Sequence, residues 1–329
     1  MTVAPKMNDL ISLTTVDRAA SILKTGGLVG LPTETVYGLG ANALDPVAVA
    51  RIFAAKERPF FDPLIVHVPD IDWVPRVARE FPAIAQRLAQ RFWPGPLTLV
   101  LPKSDAIPDL VTSGLPSVGV RIPDHDMIRQ VMRLVGVPVA APSANPFGKL
   151  SPTTAEHVFR QLGDRVDAIL DGGPCRIGIE STVLQIMGDR VTLLRYGGVA
   201  LEEIEDLIGG IQRSVDDTTS APAGPGMLTS HYAPRTPLVV VEELTSVDYS
   251  GSIGLLTLQA EGDLSKFEQV EVLSPSGDLV IAAANFFQAL HRLDRANLGR
   301  IVARRFPETG LGRALNDRLK RAAYQEPPH

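Results

Sequence analysis

Short apolar runs alternate with amphipathic stretches along most of this chain, the pattern of an α/β fold. A helix is predicted over residues 16–24, capped by Thr14 or Thr15 and stopped at Gly26 and Gly27. A buried strand over 28–31 follows and ends at Pro32. Asp45 and Pro46 supply an N-cap and a first-turn proline for a helix that carries Val49, Ile52 and Phe53 and ends near Lys56. Further strands are predicted over 64–68, 97–101, 118–122, 137–141, 182–186 and 191–195. Helices are predicted over 82–92, 126–135 and 154–162.

The pattern breaks after Gly209. Residues 213–237 are rich in Ser, Thr, Asp, Pro and Gly, as expected of a linker or a long functional loop. A second α/β pattern then begins, with strands over 238–241, 253–256, 270–273 and 300–303 and helices over 278–293 and 311–323. The expected organisation is a first domain over 1–212 with its own core, a linker over 213–237 and a small domain over 238–329. A length of 329 residues suits two domains.

Composition narrows the class. At 45% hydrophobic and 21% charged residues the chain can bury a core without staples. The single cysteine, Cys175, excludes an internal disulfide and a zinc site built from several cysteines. No apolar run is long enough to span a bilayer, and the start has no signal-peptide pattern, so a cytoplasmic protein is expected. The formal charge of −5 comes without a basic stripe. A protein built mainly to grip nucleic acid would show one. Service to RNA is therefore expected to run through a small-molecule product or a partner, with a local basic cleft for direct tRNA contact left open.

Polar clusters fall at the ends of predicted strands, where α/β proteins place ligands. They are PTETVYGLG (32–40), KERPFFDPLIVH (56–67), VGVRIP (118–123), APSANPFGKLSPTT (141–154), GIESTVL (178–184) and LRYGG (194–198). Lysine, arginine and small hydroxyl residues in this arrangement suit anionic substrates. Neither standard nucleotide loop is present: Gly148-Lys149 lacks the upstream glycine and the following Ser or Thr, and Gly38 and Gly40 are followed by Ala43. Taken singly, each residue has a plain structural role open to it. Lys56 suits a helix C-terminus. Arg121 inside an apolar strand needs an anion, either a ligand or an internal carboxylate. His67 suits a core histidine, Thr33, Ser143 and Ser151 suit turns and caps, and Cys175 a structural thiol.

In order, the clusters resemble the YrdC-like threonylcarbamoyl-AMP synthases over about residues 15–210. That family shows PTET-YGLG, K-x-RP…PL-V-H, V-RxP, PSAN-x-x-G-x-x-SPT and EST-V segments. The GPGMLTSHYAP stretch (224–234) and NDRL (316–319) resemble the family's long form. The resemblance implies a twisted mixed sheet curled around a wide cleft with outer helices, plus a small Rossmann-like α/β domain. It implies a nucleotidyltransferase that makes L-threonylcarbamoyladenylate and pyrophosphate from L-threonine, bicarbonate and ATP. Mg²⁺ would be bound mainly through the ATP phosphates, and a downstream threonylcarbamoyl transferase acting on tRNA would take the product. Lys56 and Arg58 would be catalytic and hold the triphosphate. Thr33, His67, Arg121 and Ser181 would surround threonine. Ser117, Ser143, Asn145, Ser151 and Arg195 would line the nucleotide site, and Tyr232 would close over it. Asp62, Tyr196, Leu228 and Ser230 depart from the family pattern, Asp62 by placing a second negative charge near the anion site. A carbamoyl-transferring maturation enzyme and a non-catalytic RNA-binding module are the alternatives. The lone cysteine counts against the zinc segments of the first, and salt-sensitive RNA binding without pyrophosphate release would mark the second.

Overall fold

The computed structural model describes residues 14–214 and 232–323. Most of the expected linker (215–231, including Leu228 and Ser230) lies outside the described residues. The first domain has strands β1 (Val29–Leu31), β2 (Gly38–Asn42), β3 (Ile65–His67), β4 (Leu97–Pro102) and β5 (Ser117–Arg121). Strands β6 (Val139–Ala140), β7 (Ala168–Ile169), β8 (Thr182–Met187), β9 (Arg190–Arg195) and β10 (Gln212–Arg213) complete it. They form one ten-stranded mixed sheet in the order β10-β9-β8-β4-β5-β3-β6-β2-β1-β7. Helices α1 (Val16–Lys24), α2 (Pro46–Lys56), α3 (Val74–Val77), α4 (Ala83–Phe92), α5 (Asp109–Thr112), α6 (Asp126–Val135), α7 (Ala155–Leu162) and α8 (Leu201–Ile208) accompany the sheet.

Local chemistry sets the helix starts. Thr15 accepts from the Arg18 amide, and Asp45 accepts from Val47 and Ala48 beside Pro46 at the first turn. The helix ends of α2 and α6 sit at Glu57 and Gly136, both in the left-handed region. Strand β2 was not expected, because Gly-Leu-Gly-Ala-Asn carries no β-branched residue. Its small residues are needed for close approach: a Cβ on Gly40 would lie 2.5 Å from Leu31 Cδ1. Helix α8 was also unforeseen; it buries Leu201 and Ile204.

The second domain runs β11 (Leu238–Val241), β12 (Ile253–Thr257), β13 (Gln269–Val272), α9 (Leu279–Arg295), β14 (Arg300–Arg304) and α10 (Gly312–Ala322). Its strands are all parallel in the order β11-β14-β12-β13, as an α/β pattern demands. Each domain has a core of its own, and a further apolar cluster spans the boundary between them. Val36, Leu150, Ile179 and Tyr232 are buried in the same apolar cluster as Phe286, Phe287, Leu290 and Leu315 of the second domain. The backbones nearly touch at Gly178 (φ +77°), where a Cβ would lie 2.5 Å from the carbonyl oxygens of Ala283 and Ala284 in α9.

This contact makes a test of the seam. Gly178→Ala forces either the turn or α9 to move, at a cost of about 1–3 kcal/mol or more. Gly210→Ala, where a Cβ meets nothing within 4 Å, is the control. Denaturant unfolding should show a lowered midpoint for the first and none for the second. Equal midpoints would mean that the domains are not packed this closely.

Candidate functional site

Strand directions bring the polar clusters to one rim. β3 and β5 are parallel with His67 opposite Arg121 at their carboxyl ends, and β4 runs antiparallel to β5, so its start lies at the same rim. β8 is parallel to β4 and antiparallel to β9, which adds Ser181 before β8 and Arg195 at the end of β9. The PTET turn enters from β1, and Ser143 bridges to Gly38. The resulting cavity is lined by Thr33, Arg58, His67, Arg121, Ser143, Ser181, Arg195 and Tyr232, all expected from the sequence.

Four expected residues are placed otherwise. Lys56, 1% exposed, stands behind the wall, and its ammonium donates to the carbonyls of Ser143 and Asn145 at 2.6 Å each. It ties down the loop at 143–145. Burial, then Arg58, lowers its pKa well below the lysine value. Asn145 Nδ2 donates to the carbonyls of Pro146 and Lys149, holding the same loop. Ser151 donates to Glu180 Oε1 at 2.5 Å rather than facing the cavity. Ser117 is not brought to the rim: it begins β5, four residues and roughly 13 Å of strand from Arg121.

Each cavity arginine is held by the protein. Arg121 donates to the Gly95 carbonyl and to Thr35 Oγ1, and its Nη2 lies 2.7 Å from Glu34 Oε1. The Glu34 contact is an ion pair without hydrogen-bond alignment. The internal carboxylate left open by the sequence is therefore Glu34, which is fully buried. Arg58 pairs with Asp62 Oδ2 at 2.8 Å and donates to the carbonyls of Asp62 and Pro63. The unusual Asp62 thus stands as the counter-ion of Arg58. Arg195 donates to the carbonyl and hydroxyl of Ser181, and the Ser181 hydroxyl also meets Thr98 at 2.8 Å. Thr33 pins the PTET turn: its hydroxyl donates to the Val36 carbonyl and accepts from the amides of Thr35 and Val36.

His67 is neutral at ordinary pH, its pKa lowered to about 3 by burial and by Arg121. Its Nδ1 is buried with no hydrogen-bond partner among the described residues. Tyr232 is buried with φ 65°, and its ring lies 5.6 Å from that of Phe287. Burial and Glu180 raise its pKa, while Arg318 and Arg195 oppose them. Cys175 is buried and burial raises its thiol pKa, so it is no ready nucleophile. Tyr196, the other described departure, packs against both cores and gives its carbonyl to Arg318. Sequence reasoning passed over Glu34, Thr35, Thr98, Glu180 and Arg318. Glu34 and Thr35 sit inside the PTET cluster, Glu180 inside GIEST and Arg318 inside NDRL, so adjacency was the available signal. Thr98 had none.

Known proteins resemble this chain over nearly its whole length. Residues 21–197 match the family described as "Telomere recombination", and residues 199–324 match "Threonylcarbamoyl-AMP synthase, C-terminal domain". The chain is 42% identical to a threonylcarbamoyl-AMP synthase of Bacillus subtilis, over 94% of this chain and 92% of that one. It is 41% identical to the protein of that name from Pyrococcus abyssi, over 98% of each. The crystal structure of P. abyssi Sua5 complexed with L-threonine superposes with a TM-score of 0.88 at 41% identity, covering 94% of both chains. Among the described residues no helix is long and apolar enough to cross a membrane.

Two tests follow from the geometry. Arg121→Ala strands the buried Glu34 carboxylate and should cost about 3–5 kcal/mol of stability, whereas adding Glu34→Gln should restore part of it. A double variant no more stable than Arg121→Ala would show that the pair is not coupled. The second test concerns pH. Burial is the leading cause that lowers His67 and His157 to about 3 and His291 to about 4. The unfolded chain takes up these protons near pH 6.5, so stability is full above that value and falls as pH drops toward 4. Each imidazole contributes a loss of about 2 kcal/mol by pH 5. Urea midpoints should fall from pH 7.5 to 5, less steeply in His157→Gln; identical slopes would refute a neutral buried His157.

Proposed function

The chain belongs to the threonylcarbamoyl-AMP synthase family, and on that premise we propose that it forms L-threonylcarbamoyladenylate and pyrophosphate from L-threonine, bicarbonate and ATP. It is an enzyme, of nucleotidyltransferase type. The observation that carries the reading is one cavity walled by Arg58, Arg121 and Arg195 together with the neutral imidazole of His67. Three guanidiniums in one small space suit a substrate set with a carboxylate and a chain of phosphates.

At the threonine end, Arg121 takes the carboxylate, aimed by Glu34, Thr35 and the Gly95 carbonyl. The free Nδ1 of His67 and the hydroxyls of Thr33 and Ser181 are in reach of the threonine hydroxyl and amine. The neutral amine attacks bicarbonate carbon and releases water, giving a carbamate. A carbamate oxygen then attacks the α-phosphorus of ATP, the bond to the β-phosphate oxygen breaks, and pyrophosphate leaves. The protein's part is positioning and charge neutralisation. Arg58, Arg195 and the loop at 143–145, held by Lys56, face the phosphates. Tyr232 covers the reacting centre, and excluding water protects a carbamate and a mixed anhydride.

Mg²⁺ enters as the ATP complex and belongs to the substrate. The cleft carboxylates Glu34, Asp62 and Glu180 are each engaged by an arginine, which suits a metal held by phosphate and water. The product would feed, in the cytosol, a transferase that modifies the tRNA adenosine next to the anticodon.

The assay is pyrophosphate release. With MgATP, threonine and bicarbonate the protein should release pyrophosphate and form a labile AMP conjugate, and leaving out threonine or bicarbonate should abolish the conjugate. Arg58→Ala should lower kcat/KM for ATP by roughly 30-fold or more, the loss of one buried charge partner. Pyrophosphate release that ignores both threonine and bicarbonate would overturn the reading.

A further inference from the structure

We propose that Arg318, a residue of the C-terminal domain, is a positioning residue for the nucleotide end of the cleft, acting through Glu180, the Tyr196 carbonyl beside Arg195, and the Tyr232 ring. The inference rests on the reading above. The sequence Asn316-Asp317-Arg318-Leu319 aims the side chain. Leu315 and Leu319 bury one face of α10. Asn316 clamps the backbone of Phe306, accepting from its amide and donating to its carbonyl at 2.9 Å each. Asp317 Oδ2 then lies 2.9 Å from Arg318 Nη1 and its Oδ1 2.9 Å from Arg321 Nε.

So aimed, Arg318 reaches across the domain boundary with its side chain 0% exposed. Nε donates to Glu180 Oε2 at 3.0 Å, and Nη1 donates to the Tyr196 carbonyl at 2.8 Å. The guanidinium carbon lies 5.2 Å from the centroid of the Tyr232 ring. Burial works against the charge, but the carboxylates of Glu180 and Asp317 oppose it and hold Arg318 ionised. The other oxygen of Glu180 takes the Ser151 hydroxyl. A second tie from the same domain reaches the same residue: His291 Nε2 lies 3.0 Å from the Ser151 carbonyl.

The destinations of these contacts divide the cleft. Glu180, Tyr232 and Arg195, next to Tyr196, line the cavity on the nucleotide side of the proposed site, with Ser151 bound behind Glu180. Arg121, with its partners Glu34, Thr35 and Gly95, is anchored within the first domain alone. A residue that merely stabilised the fold would affect both substrates alike. Arg318 should affect one.

The test is steady-state kinetics of the full chain with the variants Arg318→Ala, Arg318→Lys and Glu180→Gln. Arg318→Ala should raise KM for ATP roughly ten- to hundred-fold and change KM for threonine less than about two-fold. Arg318→Lys, which keeps the charge but loses the fork that serves two acceptors, should fall between. Arg318→Ala combined with Glu180→Gln should be no worse than Arg318→Ala alone, because both cut one link. If Arg318→Ala does not fold, Glu180→Gln carries the same ATP-selective expectation. Equal rises in both KM values, or none, overturn the inference. Thermal protection by MgATP keeps it apart from the reading it rests on. A parent protected by MgATP but unable to form the conjugate sinks the reading, and the inference then stands or falls on whether Arg318→Ala loses that protection. A parent with no protection sinks both.

Discussion

Four guanidiniums are buried around one cleft; three lie beside a carboxylate supplied for them, Arg58 with Asp62, Arg121 with Glu34 and Arg318 with Glu180, and Arg195 is held by Ser181 oxygens. A site for anions needs buried cations, and a buried cation without a counter-ion costs several kcal/mol. The pairs resolve that conflict in the unliganded protein. They also fix where the positive charge points, since each guanidinium is further held by carbonyl or hydroxyl oxygens. The surrounding turns depend on this arrangement. The PTET turn carries Glu34 beneath Arg121, and the short loop after α2 folds back so that Asp62 meets Arg58.

The same constraint explains why an apolar cluster spans the two domains. Glu180 lies in the first domain and its cation in the second, so separating them would leave both charges buried or newly wetted. Around that pair the apolar seam closes. Ile179 and Tyr232 lie against the helix that carries Phe286 and Phe287, with no room for a side chain at Gly178. Gly197 has a similar part in the first domain, where a Cβ would come within 2.3 Å of the backbone joining Ser181 to Thr182. Tight backbone contacts thus hold the residues on which the charge pairs sit.

Lys56 illustrates how a cation can serve the site from behind. Its ammonium binds two carbonyls of the loop that presents Ser143, and Asn145 holds the other end of that loop. The loop is further tied at Gly148, whose carbonyl accepts from the Ala233 amide, next to Tyr232. The path from helix α2 through this loop to Tyr232 is therefore continuous, and a change at Lys56 reaches the cavity wall without touching a ligand.

The hydrophobic pattern determined the α/β class and nearly all the longer elements. Apolar spacing and caps are local, and Thr15, Asp45-Pro46 and Asp278 act within their own first turns. The motif series likewise marked eight of the side chains that line the cavity. What tertiary structure alone decided was partnership. Nothing near Arg121 in sequence says that its carboxylate is Glu34, 87 positions earlier, or that Glu180 is met by Arg318, since ion pairs act through space. Strand β2 escaped notice because its small residues answer to neighbours in the sheet rather than to their own propensity. Ser117 stands at the start of β5, at the other end of the strand from Arg121, and only the sheet topology decides which rim the cavity uses.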